Sequence, residues 1–281
     1  MRTGNLVIVA LGLVGALFAV VVTVTWGRLP IRSSAQRVGV DSGDSRRVRL
    51  VEATRTLGGV CSAGIVTGAL VAGLFGRLVM RVTAATSGDS AQGLLTDAEE
   101  RVGEITFGGT LGFIIFIGLG SGLVTSMAFL VFRTWLPPTG AVAGLLVGLV
   151  PVGFVGSSDL STRNLDFTIL SPVWLAVVLI VCGVVLFGAA FGSVAARFEQ
   201  TTRSTSRLRY LPCLGIVPFA LIPPVLVGMV VYLGGRTLFP GRLKVALEQR
   251  AVRVVGRLGV SVAAAFIAAS TARSMVEIIQ A

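Results

Sequence analysis

The chain contains no histidine, one lysine (Lys244) and only three cysteines in 281 residues, and just 13% of its residues are charged. A soluble domain carries about 25% charged residues, because it must cover itself with a wetted surface. The missing histidine removes the commonest general base and the commonest metal ligand. Cys61, Cys182 and Cys213 stand far apart, each in an apolar stretch, with no C-x-x-C spacing. Neither a zinc site nor a redox pair is supported, and small apolar residues packing between helices is the plainer reading. No metal and no cofactor is expected.

What the chain does have is 54% hydrophobic residues and 36 glycines, arranged in long apolar runs. A helix needs roughly 20 apolar residues to cross about 30 Å of hydrocarbon. Seven stretches qualify, at about 6–26, 57–80, 107–132, 140–157, 173–196, 211–234 and 254–272. The fourth needs Gly140 and Ser157 to reach full length, and the seventh has a core of only about a dozen apolar residues between Arg257 and Arg273. The expected fold class is an all-α polytopic transmembrane bundle of six to seven spans, forming one integral membrane domain. Such a chain is neither a soluble enzyme nor a disulfide scaffold. The first stretch is too long and lacks a small-x-small cleavage site after Trp26, so it reads as an uncleaved anchor.

A net charge of +11 suggests nucleic acid in a soluble protein. Here the basic residues flank apolar spans, so anionic lipid headgroups are the expected partner and nucleic acid is not. The stretch 27–56 holds Arg28, Arg32, Arg37, Arg46, Arg47, Arg49 and Arg55 and reads as a basic cytoplasmic loop. The loop after the fifth span holds Arg197, Arg203, Arg207 and Arg209, whereas the loops after the second and fourth lean acidic. Counting Lys and Arg places the basic loops in the cytoplasm and the N-terminus outside.

The end of the chain breaks this pattern. Strict alternation puts Arg236, Arg242, Lys244, Arg250, Arg253 and Arg257 outside. The sixth stretch carries Pro212, Pro218, Pro223 and Pro224, so it is either a broken helix or re-entrant hairpin that returns to the cytoplasm, or a kinked but complete span. Kinked spans are the commoner outcome, which favours seven. Within 241–257, Leu243, Leu247, Ala251, Val254 and Leu258 recur at helical spacing, opposite Arg242, Gln249, Arg250, Arg253 and Arg257. That pattern predicts a basic amphipathic helix at a lipid interface.

Small-xxx-small spacing is dense: Gly64/Gly68, Ala69/Gly73, Gly108/Gly112, Gly118/Gly122, Gly140/Gly144, Gly144/Gly148 and Gly188/Gly192. Close helix packing inside one bundle is the first reading, and a protein partner or homo-oligomer through glycine-rich faces is the second. The run Gly118-Leu-Gly-Ser-Gly122 lies inside an apolar span and is no dinucleotide fingerprint. No acid falls within the seven stretches, and Ser62, Ser121, Ser126 and Ser193 have no base on offer. Catalytic residues are therefore not assigned.

The remaining polar features gather on the expected outer side. Arg77 and Arg81 close the second span, Glu104 precedes the third, and Asp159, Asn164 and Asp166 precede the fifth. They form a candidate outer cluster for an ion, a headgroup or a partner, set against simple snorkelling of Arg77 to the headgroups. A long guanidinium can climb one turn, so Arg77 and Arg81 are expected to meet Glu104 and staple the second span to the third.

The stretches Arg77-Leu-Val-Met-Arg81, Arg101-Val-Gly-Glu-Ile-Thr-Phe-Gly-Gly-Thr-Leu-Gly112 and Asp159 through Asn164-Leu-Asp-Phe167 resemble uncharacterised actinobacterial integral membrane proteins, over roughly residues 57–200. The resemblance implies a bacterial plasma membrane, which suits the arginine-over-lysine bias, and it implies no activity, substrate or cofactor. The functional expectation is a non-enzymatic accessory or scaffolding subunit of a membrane complex. The alternatives are a small-solute transporter or channel using the proline-broken segment at Pro218, Pro223 and Pro224, and a lipid-modifying enzyme using the outer carboxylates.

Overall fold

The computed structural model describes residues 3–31, 46–95, 102, 106–159, 169, 171–201, 207–238 and 249–280, and residues 3–5, 8, 90, 154–159, 207–210, 236–237 and 250 by their backbone alone. Among the described residues the secondary structure is helical apart from one isolated bridge. Five helices among the described residues are long and apolar enough to cross a membrane. In hydrocarbon each backbone polar group must find its partner within the chain, and a helix does that segment by segment.

The elements are α1 (Thr3–Trp26), α2 (Arg46–Thr86), α3 (Phe107–Phe132), α4 (Gly140–Asp159) and α5 (Val173–Thr201). A 3₁₀ stretch (Arg207–Gly215) then leads into the short α6 (Ile216–Ala220), followed by α7 (Pro223–Leu238) and α8 (Arg250–Gln280). Each of the first five packs antiparallel to a neighbour. Gly12 of α1 lies against Leu78 of α2, while Gly27, just past α1, lies against Ala141 of α4. Gly73 meets Ile114, and Ser126 Oγ donates to the Val60 carbonyl at 3.2 Å, so α2 and α3 run opposite ways. Two poles result. At the proximal pole α1, α3 and α5 end and α2 and α4 begin. The distal pole holds the opposite ends.

Glycine sets the closest approaches. A Cβ on Gly144 or Gly192 would overlap the carbonyl of Gly188 or Gly140 across the α4–α5 contact, and one on Gly148 would sit 2.7 Å from Gly188 Cα. Across α2–α3, Gly64 faces Gly122 and Gly68 faces Gly118 in the same way. Backbones touch there because lipid tails supply no hydrophobic drive and close van der Waals packing must hold the helices together. The small-residue spacing thus serves packing inside the bundle at these pairs. Nothing lies within 4 Å of a Cβ on Gly108 or Gly112. Around the glycine seams the core is filled by Leu57, Val60, Phe129, Val147, Phe191 and Val194, with the Phe129 and Phe191 rings edge-to-face at 5.6 Å.

The structure differs from the sequence reading at several boundaries. Helix α2 begins at Arg46, so the last third of the 27–56 basic stretch is helical rather than loop. Helix α5 continues to Thr201, one and a half turns past the expected end at 196. The amphipathic stretch and the seventh span join into one helix of 31 residues from Arg250 onward, while Arg242, Leu243 and Leu247 lie outside the described residues. The sixth stretch is broken: the chain turns at Leu221 and Ile222, and neither Leu211–Ala220 nor Pro223–Gly235 has the length of a span.

Candidate functional site

The proximal pole holds the feature least expected of an apolar bundle. Arg133, one residue past α3, and Glu199, in the last turns of α5, form an ion pair with side chains only 3% and 5% exposed. A charge leaves water at such depth only when it is paired. Around the pair the chain closes in. Ile31 N–H donates to the Pro138 carbonyl at 2.6 Å and Gly140 N–H to the Leu29 carbonyl at 3.1 Å, tying the end of α1 to the α3–α4 connector. Arg197 lies over the Trp26 ring at 5.6 Å, and the Phe132 and Trp135 rings sit 6.2 Å apart.

In the sequence Glu199 falls beyond the expected end of the fifth span, in the loop that follows it, and Arg133 just past the third. A signal was present. Gly188, Gly192, Ala195, Ala196 and Glu199 fall at i, i+4, i+7, i+8 and i+11, one face of one helix, and all five are buried. Continuing the helical register past 196 carries Glu199 onto the packed face.

At the distal pole, Arg77 joins α2 to α3 through described groups of both helices. Its Nη2 donates to Thr110 Oγ1 at 3.3 Å, its Nη1 lies 3.7 Å from Met80 Sδ, and its guanidinium stands over the Phe113 ring at 5.7 Å. Thr110 is positioned by the first turn of α3, where Thr106 caps the helix by accepting from Gly109 N–H at 3.0 Å. Glu104, Asn164 and Asp166 lie outside the described residues, as does the side chain of Asp159, and Arg81 is half-buried near the end of α2. The expected cluster is therefore represented by Arg77 and Arg81. Beside it, Ser87 Oγ accepts from Ser171 N–H at 2.9 Å and Gln92 Nε2 donates to the Ala84 carbonyl at 2.8 Å. These bonds close the distal loops over Ala84, Ala91 and Val102.

Between the poles, α2 and α3 each widen into a π-helical stretch, Gly68–Phe75 and Ile114–Leu119, and the two stretches pack against one another. Such bulges are rare and frequent at functional sites. The glycines at their borders, Gly68, Gly73 and Gly118, allow the broader backbones to meet.

The candidate lipid-facing arginines are split by the same limits. Arg253 and Arg257 are exposed on the first turns of α8, Arg250 is described by backbone alone, and Arg242 lies outside the described residues. Of the helix-breaking prolines, Pro218, Pro223 and Pro224 are all exposed beside the turn at Leu221. A cavity of about 90 Å³ lies between α4 and α8, walled by Phe132, Leu146, Val150, Val260 and Ile267, and none of its lining comes from the broken segment. Among the described residues no three His, Cys, Asp or Glu side chains stand close enough to hold a metal ion. Compared with known proteins, the chain matches no family model, no curated protein and no solved structure.

Proposed function

We propose that this protein is a non-catalytic scaffolding or accessory subunit of a bacterial membrane complex. The observation that carries the reading is the contrast between its interior and its last helix. The interior is closed by backbone-to-backbone glycine contacts and by an ion pair locked at the proximal pole. Helix α8, by contrast, buries only 6% of its apolar window and turns Val255, Leu258, Val262 and Phe266 outward. A solid body with an apolar helix on its flank suits a surface for another membrane helix better than a path for solute. Membership of an actinobacterial group remains part of this proposal, resting on the three stretches quoted above.

Photo-crosslinking residues placed at Val255, Val262 and Phe266, in native membranes, test it. Crosslinks from these positions to one defined membrane protein, with none from Val71 or Val147 inside the bundle, are the expected result. Crosslinks to lipid alone at every exposed position, or solute-specific flux from the purified protein in proteoliposomes, would overturn it. A transport reading has its own support in the paired π-helical stretches and the broken sixth segment, both places where a helix can change shape. The flux measurement separates the two.

A further inference from the structure

We propose that the broken sixth segment is a re-entrant hairpin that enters and leaves at the proximal pole, gathering the basic residues of the chain into one surface for the anionic headgroups of a single leaflet. The inference stands apart from the scaffolding reading, since it concerns the lipid facing one pole and holds whatever protein docks on α8.

The entry is fixed by contacts with the first half of α2. A Cβ on Gly58 would lie 2.6 Å from Cys213 Cα and 2.9 Å from the Pro212 carbonyl oxygen, and one on Gly215 would lie 2.6 Å from Ser62 N. Ser62 Oγ donates to the Pro212 carbonyl at 2.7 Å. Gly59, next to Gly58, faces Phe198 near the end of α5, so this contact belongs to the proximal pole. From there α6 adds only five residues, or about 8 Å of rise, before the turn. Pro223 and Pro224 enforce that turn, because proline disfavours helical geometry in the residue before it and can open a new helix at its own position.

The second arm, α7, has 16 residues, about 24 Å of helix, and falls short of the roughly 30 Å of hydrocarbon. Its packing partners are the Arg46–Thr67 half of α2 and α6 of its own segment, and its substantial contacts do not extend to the distal half of α2. The exit is equally well placed. Helix α8 starts at the proximal pole, with Gly256 against the Trp135 indole and Val260 beside Phe132. It then runs distally, past Gly153 at Ile267, to Val177 at Met275 and Ile278. The chain is thus back at the proximal pole by the first turns of α8. Had α7 finished at the distal pole, residues 239–249 would have to recross the hydrocarbon carrying Arg242, Lys244 and Glu248. Three charges in eleven residues make such a crossing costly.

The hairpin makes six crossings, α1 to α5 and α8. It also eases the anomaly in the charge pattern, since Arg253 and Arg257 then share a pole with Arg46, Arg47, Arg49, Arg55 and Arg197. Basic residues close to an anionic leaflet add their attractions.

Two measurements on the full chain test this. In a background lacking Cys61, Cys182 and Cys213, single cysteines at Ser42, Ser204, Val245, Leu95 and Ala281 are labelled with an impermeant maleimide from each side of the membrane. Ser42, Ser204 and Val245 should label from one side, and Leu95 and Ala281 from the other. A C-terminal reporter fused to the otherwise wild-type chain gives the same answer if the cysteine-free variant does not fold. Labelling of Val245 with Leu95, or of Ala281 with Ser42, would show a seventh crossing and overturn the hairpin. In the second measurement, nanodiscs of phosphatidylglycerol should raise the Tm above that in phosphatidylcholine. The combined Arg242→Gln, Lys244→Gln, Arg253→Gln and Arg257→Gln variant should lose at least half of that rise. An unchanged rise would overturn the headgroup surface.

Discussion

At the scale of single residues, the Arg133–Glu199 pair carries the sharpest expectation. Removing one partner of a buried pair leaves a buried charge and costs roughly 3–5 kcal/mol, while replacing both with apolar residues of similar volume is often neutral. Glu199→Gln and Arg133→Met should each lower the detergent-solubilised Tm strongly, and Arg133→Met with Glu199→Met should recover most of the loss. Additive losses in that cycle would mean the two side chains act independently. The link from Arg77 to the first turns of α3 is predicted to matter less. It includes a neutral hydroxyl at 3.3 Å and an aromatic face at 5.7 Å, worth about 1 kcal/mol together. Arg77→Gln combined with Thr110→Val should show a coupling below that of the buried pair. The Arg77 position was legible in the sequence, because an arginine within an apolar run must find polar company. Its partners were not, since Thr110 and Phe113 become neighbours only when α2 and α3 pack.

At the scale of elements, the glycine seams decide which helices touch. Gly192→Leu forces a side chain into the Gly140 carbonyl, and overpacking of this kind costs about 1–3 kcal/mol or more. The variant should fail to reach wild-type stability even in mild detergent. Gly108→Leu meets nothing within 4 Å and should leave monomer stability unchanged, so size-exclusion chromatography of that variant reports on any assembly through this face. The same spacing therefore has two different outcomes in one chain. Spacing alone did not tell Gly192 from Gly108, because both read as small-xxx-small. The difference is whether another backbone arrives at that face. Helix ends moved for a related reason. Glu199 and the arginines at 46–55 look like loop to a hydropathy reading, yet helix continues through them, with Arg133 compensating the charge of Glu199.

At the scale of the whole molecule, composition and run length were enough to predict helices of membrane-spanning length and apolarity, as the described residues have. Apolar runs of span length have no other stable home, and backbone hydrogen bonding in hydrocarbon then dictates helix. The positions of α1, α3, α4 and α5 follow from the same argument to within a turn or two, whereas α2 starts about three turns earlier than expected. What only the tertiary structure decided is which faces meet and where the sixth segment breaks. Four prolines interrupt that segment in the sequence, and an interrupted run is compatible with a kink or a reversal alike. The choice depends on contacts far away in sequence, Gly58 with Cys213 and Gly256 with Trp135. The Arg133–Glu199 pair likewise joins two residues 66 positions apart, each unremarkable in its own segment. Local pattern reports how a segment satisfies its own backbone. Long-range packing determines which polar groups are kept from water and must therefore find each other.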